Sequence, residues 1–228
     1  MRIRGVLAAA VSRNSWLADA VRQARVGADR LRFNLVGRAR LPRQGLQLNL
    51  CAGTQRIPGW FSIDVDGDVD LKLDLSRTNL PFAGESARAV ACISAINYFT
   101  PGRAEELVRE TYRVLAPGGV ARFAVQDMEA LARRYVERDL GFFDQRTADG
   151  RQRFPGDTLG DKFVAWFYGY RAGGSPCRYA YDYESLAPLF RRAGFSVVER
   201  RDFRSSRLAD ADHLDNRPDQ MFFLEAVK

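Results

Sequence analysis

The residues best suited to chemistry stand at the ends of short apolar runs. Leu48-Asn49-Leu50-Cys51-Ala52-Gly53 reads as a strand running into a tight turn of small residues. Such a turn lets a ligand come close to the backbone. In open α/β sheets, ligands sit at the carboxyl ends of strands, where the strand order reverses. Asp64 ends a second run, and a carboxylate there can accept hydrogen bonds from both hydroxyls of a ribose. Asp74-Leu75 ends a third run, offering a polar group to an adenine edge and an apolar one to its face. The turn, Asp64 and Asp74 would meet the amino-acid, ribose and adenine parts of one ligand. Aspartates after strands are also common turn and cap residues. Their order along the chain, rather than any one of them, carries the reading.

Alternating strand and helix patterns position these residues and predict a largely parallel sheet. Pro42 and Gly45 mark the start of the domain, which divides the chain into an extension over 1–43 and a domain over 44–228. Strands are expected at 46–50, 60–65, 69–74, 89–93, 120–125, 195–203 and 220–227. Helices are expected from Pro101 to Leu115, from Met128 to Val136 and from Tyr183 to Ala193, the last ending at Gly194. Residues 138–183 hold eleven of the 26 aromatics and read either as an insertion or lid over a pocket or as a second small core.

Residues 14–36 have helical periodicity. Trp16, Leu17, Ala20, Val21, Ala24, Ala28, Leu31 and Leu35 share one arc, and Arg22, Arg25 and Arg32 lie opposite; Gly27 is expected to break the helix. One reading packs the apolar arc on the domain and leaves the arginines in solvent. The other lays a basic helix on an anionic membrane surface.

The formal net charge is +7, and the first 43 residues hold ten arginines against two aspartates, so the rest is nearly neutral. Cys51, Cys92 and Cys177 are too far apart and too few for a disulfide framework or a zinc site, so no metal is expected and a reducing cytoplasm fits. No apolar run nears the ~18 residues of a spanning helix. Gly5–Val11 faintly resembles a signal peptide, but Arg13 closes it early, which predicts a chain that is not secreted. The expected location is the cytoplasm, with the inner face of the membrane the site of any peripheral contact through residues 1–40.

From residue 48 to 127 the chain resembles the cofactor-binding core of class I S-adenosylmethionine-dependent methyltransferases. It is most similar to the small members associated with surface-polysaccharide and glycolipid synthesis. The motifs are LNLCAG, PGWFSIDVD (58–66), DLSRTNLPF (74–82), LVRETYRVLAPGGVARFAVQD (107–127), YESLAPLFRRAGF (183–195) and FFLEAVK (222–228). The resemblance implies a Rossmann-like α/β fold, its seven-stranded sheet mostly parallel with the last strand antiparallel, and S-adenosylmethionine as methyl donor. It implies that Asn49, Cys51, Ala52 and Gly53 line the methionine end, and that Asp64 holds the ribose. Asp74 and Leu75 would flank the adenine, and Ser94, Ala95 and Ile96 close the pocket after the fourth strand. The sequence departs from the family where Cys51 replaces a glycine. It departs again where Ser94, Asn97 and Tyr98 stand for a histidine–acidic–histidine series, and where Cys177 stands for a histidine.

Methyl transfer needs alignment and a deprotonated nucleophile. The one histidine, His213 in DADHLD, and Asp127 after the fifth strand are the candidate bases. Tyr98 and Asn97 could shape an acceptor pocket. The expected acceptor is a hydroxyl of a glycan, glycolipid or small metabolite. A protein that binds the cofactor without turnover is the competing reading. Nucleic-acid methylation is disfavoured by the neutral body. A nicotinamide dehydrogenase is disfavoured by the absence of a GxGxxG turn with an acid about 20 residues on.

Overall fold

The computed structural model describes residues 15–37, 39, 41–147, 149–168, 171–172 and 175–228. At its centre β1 (Leu46–Leu50) pairs in parallel with β2 (Phe61–Asp64) on one side and β4 (Ala87–Ile93) on the other. β3 (Leu71–Lys72) extends the sheet beyond β2, and β5 (Leu115–Gln126) extends it beyond β4, both in parallel. A small hairpin of β6 (Arg171–Ala172) and β7 (Ser175–Pro176) is separate from the sheet. β9 (Met221–Val227) inserts antiparallel between β5 and β8 (Val197–Arg201). The order is β3-β2-β1-β4-β5-β9-β8, so the sheet is the expected seven-stranded one with an antiparallel last strand. Strand order reverses between β1 and β4, which opens a crevice at their carboxyl ends.

The helices are α1 (Ser15–Arg32), α2 (Pro101–Val114), α3 (Met128–Val136), α4 (Leu140–Phe143), α5 (Leu159–Tyr168), α6 (Tyr183–Ala193) and α7 (Ala211–Leu214). Thr100 caps α2, its side chain accepting from the Arg103 N–H, and Pro101 opens the first turn. Leu107, Val108, Thr111 and Val114 recur at helical spacing and are buried. Gly194 ends α6 in the left-handed region at φ 105°. A Cβ there would sit 3.1 Å from the Tyr112 ring, so both backbone and space call for glycine.

β4 is apolar on both faces because both are covered. One face meets a core containing Leu107, Val108, Leu186 and Phe190; the other meets Ile57, Trp60, Leu214 and Phe223. No helix stands between β1 and β2. The segments around Ile57 and Leu214 cover that face instead, which brings the 203–217 stretch beside the β1 turn.

Three expectations change, and one of two open readings is favoured. Gly27 does not break its helix: α1 runs from Ser15 to Arg32, since one glycine costs only about 1 kcal/mol. The apolar arc of α1 does not face the domain; Leu31 and Leu35 are 61% and 72% exposed. Val26 and Phe33 are buried instead, and Asp29 accepts from the Lys72 N–H at 2.7 Å. β3 is the sheet edge and presents unpaired backbone groups, so the polar side of α1 satisfies it. The same edge position shortens β3 to two residues. Asp70, expected within it, accepts instead from the backbone N–H and hydroxyl of Ser62. Finally, the aromatic stretch makes its own small core, with Phe142, Phe143, Phe154 and Trp166 packed on Leu131 of α3. Gly5–Val11 and the side chains of Trp16 and Leu17 lie outside the described residues.

Candidate active site

The crevice holds a cavity of about 700 Å³. All nine residues singled out for cofactor contact line it: Asn49, Cys51, Ala52, Gly53, Asp64, Asp74, Leu75, Ser94 and Ala95. The strand order spreads them along one edge. Asp74 lies after β3, Asp64 ends β2, Cys51 follows β1, and Ser94 follows β4.

The turn after β1 keeps a glycine-like backbone with a cysteine in it. Cys51 has φ 54°, a conformation that costs a side chain of order 1–2 kcal/mol. Its thiol interacts with that of Cys92 on the neighbouring strand. The neighbouring Cys92 thiol, burial, and the Asp64 and Asp74 charges push its pKa well up. It is therefore a neutral wall rather than a nucleophile at neutral pH. Gly53 follows at φ 59°, and a Cβ there would meet nothing within 4 Å, so the cavity is open in front of it.

Asp64 ties the turn to β2. One carboxylate oxygen accepts from the Gly53 N–H at 2.8 Å and the other from the Val65 N–H at 2.6 Å. Each oxygen keeps a further lone pair for a ligand hydroxyl. Asp74 accepts from Gln23 of α1 at 2.8 Å and from the Ser76 N–H and hydroxyl at 3.0 and 2.5 Å. Burial opposes its ionisation, but the bonds from Ser76 and Gln23 and the charge of Arg77 outweigh it, holding its carboxyl below the ordinary range. Arg103 braces the loop past β3, donating to the Leu75 carbonyl at 2.6 Å and to Asn79 at 2.9 Å.

One buried donor here has no protein partner. Asn49 is 2% exposed and lines the cavity, and its side-chain N–H group is unpaired among the described residues. An unpaired buried donor costs about 1–3 kcal/mol unless something occupies it. Together with the open space at Gly53 and the strand-end carboxylates, it fits an adenosyl amino acid.

Asp127 and His213 do not line the cavity. Asp127 is 5% exposed and engaged on both oxygens. It caps α3 through the Ala130 N–H at 3.1 Å and meets Arg200 at 2.8 Å. His213 is exposed on α7, where its backbone carbonyl accepts from Gln55. Tyr98 lines the cavity; Asn97 lies behind it, donating to the Cys177 sulfur at 2.9 Å. Burial pushes the Cys177 thiol up.

Sequence reasoning missed the cavity's remote walls. Asp19 and Arg22 come from α1, and Arg178, Asn216 and Arg217 from the far end of the chain. A hint of the last exists in the polar run 209–219, which is too hydrophilic for a core element; nothing local assigns it to a cavity. Three of the six non-glycine residues with positive φ among the described residues, Cys51, Ser94 and Arg217, line the cavity. Backbone strain of this kind gathers at functional sites.

Residues 66–123, about a quarter of the chain, match the family model described as a methyltransferase domain. No curated protein matches in sequence. Among solved structures, the chain is similar to an S-adenosylmethionine-dependent methyltransferase from Mesorhizobium loti. Identity is 17%, the TM-score 0.44, and the match covers 84% of this chain and 95% of that one. It is also similar to a SAM-dependent methyltransferase from Thermotoga maritima, at 19% identity and TM-score 0.45, covering 90% and 97%. One from Archaeoglobus fulgidus gives 12% identity and TM-score 0.47, covering 91% and 94%.

Proposed function

We propose that the chain is an S-adenosylmethionine-dependent methyltransferase whose acceptor is a hydroxyl on a glycan, glycolipid or small metabolite, met at an anionic membrane surface. The observation that carries the cofactor reading is the ordered strand-end series Asp74, Asp64, Gly53 and Asn49 around one cavity. When bound, the cofactor supplies an electrophilic methyl group on a sulfonium. Asp64 would hold the ribose hydroxyls, Asp74 and Leu75 the adenine, and Asn49 the methionine end. Leu73 and Leu75 shield the ligand on the apolar side, while Ser94 and Tyr98 bound the end where an acceptor enters. The chain's part in the chemistry is chiefly alignment and exclusion of water, since in-line displacement rewards position.

The membrane part of the reading is supported by α1. Its outward face carries exposed Leu31, and Leu35 and Val36 follow, with Arg25 and Arg32 exposed beside them. Apolar residues flanked by arginines suit the headgroup layer of an anionic bilayer. No helix among the described residues is long and apolar enough to cross a membrane.

A second reading, cofactor binding without turnover, is favoured by the missing base: no histidine lines the cavity and both Asp127 oxygens are engaged. Calorimetric titration with S-adenosylmethionine, then turnover on glycolipid and sugar acceptors with anionic vesicles, tests both. Binding with methylated product supports the first reading. Binding without product on any acceptor supports the second, and no binding overturns both. Sedimentation with anionic but not zwitterionic vesicles, lost in Leu31→Glu/Leu35→Glu, is the expected result for the membrane reading; equal pelleting with both vesicle types overturns it.

A further inference from the structure

We propose that the β4 end of the cavity is an anion subsite, in which Arg178 and Arg217 hold a carboxylate or phosphate group of the acceptor. The inference rests on the cofactor reading, because it uses the direction that reading gives the cavity. Adenine, ribose and methionine follow the edge from β3 to β1, so whatever lies over β4 stands beyond the cofactor.

Five arginines line the cavity, and they divide sharply. Those toward β3 are neutralised. Arg22 meets Asp66 at 3.2 Å, Arg77 meets Asp19 at 3.3 Å and Asp74 at 3.4 Å, and Arg103 meets Glu106 at 2.6 Å. Arg178 and Arg217 have no carboxylate within 4.0 Å among the described residues. Arg217 donates to the Ser94 hydroxyl at 3.0 Å, which fixes it at the end of β4. The Arg178 N–H donates to the Asn97 carbonyl at 2.8 Å, which fixes its backbone just past the same strand.

The placement is built rather than incidental. Arg217 sits at φ 51°, in a conformation that arginine rarely adopts, two residues after Asp215. Asp215 is locked to fully buried Arg122 by bonds of 3.1 and 2.5 Å. Two guanidiniums with one anion between them recognise planar or tetrahedral oxyanions, bidentately where geometry allows. The cofactor brings a single carboxylate, and Asn49 and the Gly53 turn already face the end that carries it. The second positive site thus awaits a different molecule, and it selects acidic acceptors over neutral ones.

The test uses the full chain saturated with S-adenosylhomocysteine, with inorganic phosphate or acetate added against chloride of equal ionic strength. Thermal stability should rise with one of the two anions, since a ligand that binds only the folded state stabilises it. The arm that responds tells phosphate from carboxylate. Arg178→Ala/Arg217→Ala should remove the rise while changing S-adenosylhomocysteine affinity less than about threefold, under 1 kcal/mol. Arg178→Lys/Arg217→Lys should keep part of it. A tenfold or greater loss of S-adenosylhomocysteine affinity in the alanine variant, about 1.4 kcal/mol, would assign the arginines to the cofactor and overturn the proposal. So would a rise that persists in the variant, or none with either anion at about 50 mM in the original protein, where a site with a dissociation constant of about 1 mM is nearly saturated and stabilises the fold by about 2 kcal/mol. If S-adenosylhomocysteine itself fails to bind, the underlying cofactor reading falls instead.

Discussion

The two ends of the cavity are built by opposite means. At the β3 end, three carboxylates face the space and three arginines neutralise the groups around them. These parts come from strand ends and the loops after them, from α1, and, for Arg103, from the first turn of α2. At the β4 end, two arginines have no carboxylate partner among the described residues, and they stand 39 residues apart in sequence. A fixed ligand can be met by a fixed, internally balanced wall. A variable ligand is met by side chains on connecting segments, where exchange disturbs the sheet least.

The largest effect that separates the ends should come from Arg122. It is wholly buried on β5 and gathers the 202–215 segment, bonding Asp215, the Ser205 carbonyl at 3.0 Å and the Asp202 carbonyl at 3.1 Å. Arg122→Met leaves Asp215 buried without its cation and should cost about 3–5 kcal/mol in urea unfolding. A cost under 1 kcal/mol would show that the β4 wall does not hang on this pair.

Asp64→Ala should weaken S-adenosylhomocysteine binding by roughly 100-fold, near 2.7 kcal/mol, because a charged acceptor and the Gly53 tether go together. Unchanged affinity by calorimetry would break the comparison at its better-defined end.

Asp127→Asn keeps a side chain that caps helices well and removes only the charge facing Arg200. The expected outcome is a turnover loss below about tenfold, equivalent to 1.4 kcal/mol. A fall of 100-fold or more with the cofactor still bound would restore Asp127 as the base and add a catalytic group from the end of β5 to the comparison.

The smallest effect concerns pH. Asp74 is depressed in the folded state, so its contribution to stability is complete above the ordinary aspartate pKa of about 3.9 and fades as pH falls through the lower folded value. Wild-type protein should lose stability more steeply below about pH 4 than Asp74→Asn does. Identical slopes would mean that the bonds from Ser76 and Gln23 do not favour the charged form.

Much of the frame was legible in order along the chain. Leu46–Leu50, Met128–Val136 and Tyr183–Ala193 fall where periodicity and caps put them, because each is specified by neighbours within one or two turns. The nine strand-end residues share a cavity because parallel strands deliver their carboxyl ends to one edge. Periodicity misled at α1, where amphipathicity fixes which residues share a face but not which face turns inward. Leu31 and Leu35 point out because β3 is an edge whose free N–H groups need Asp29 more than the core needs two leucines.

By itself, then, the sequence determined the strands, the capped helices and the residues at the β1, β2 and β3 ends, all matters of short-range spacing. Only the tertiary structure decided that α1 walls the cavity with its polar side, that Asp127 is engaged by Arg200, and that Arg217 bonds Ser94 in a lining that Arg178 shares. Those facts depend on pairings between residues 51 to 123 positions apart, and no local pattern encodes a partner that distant.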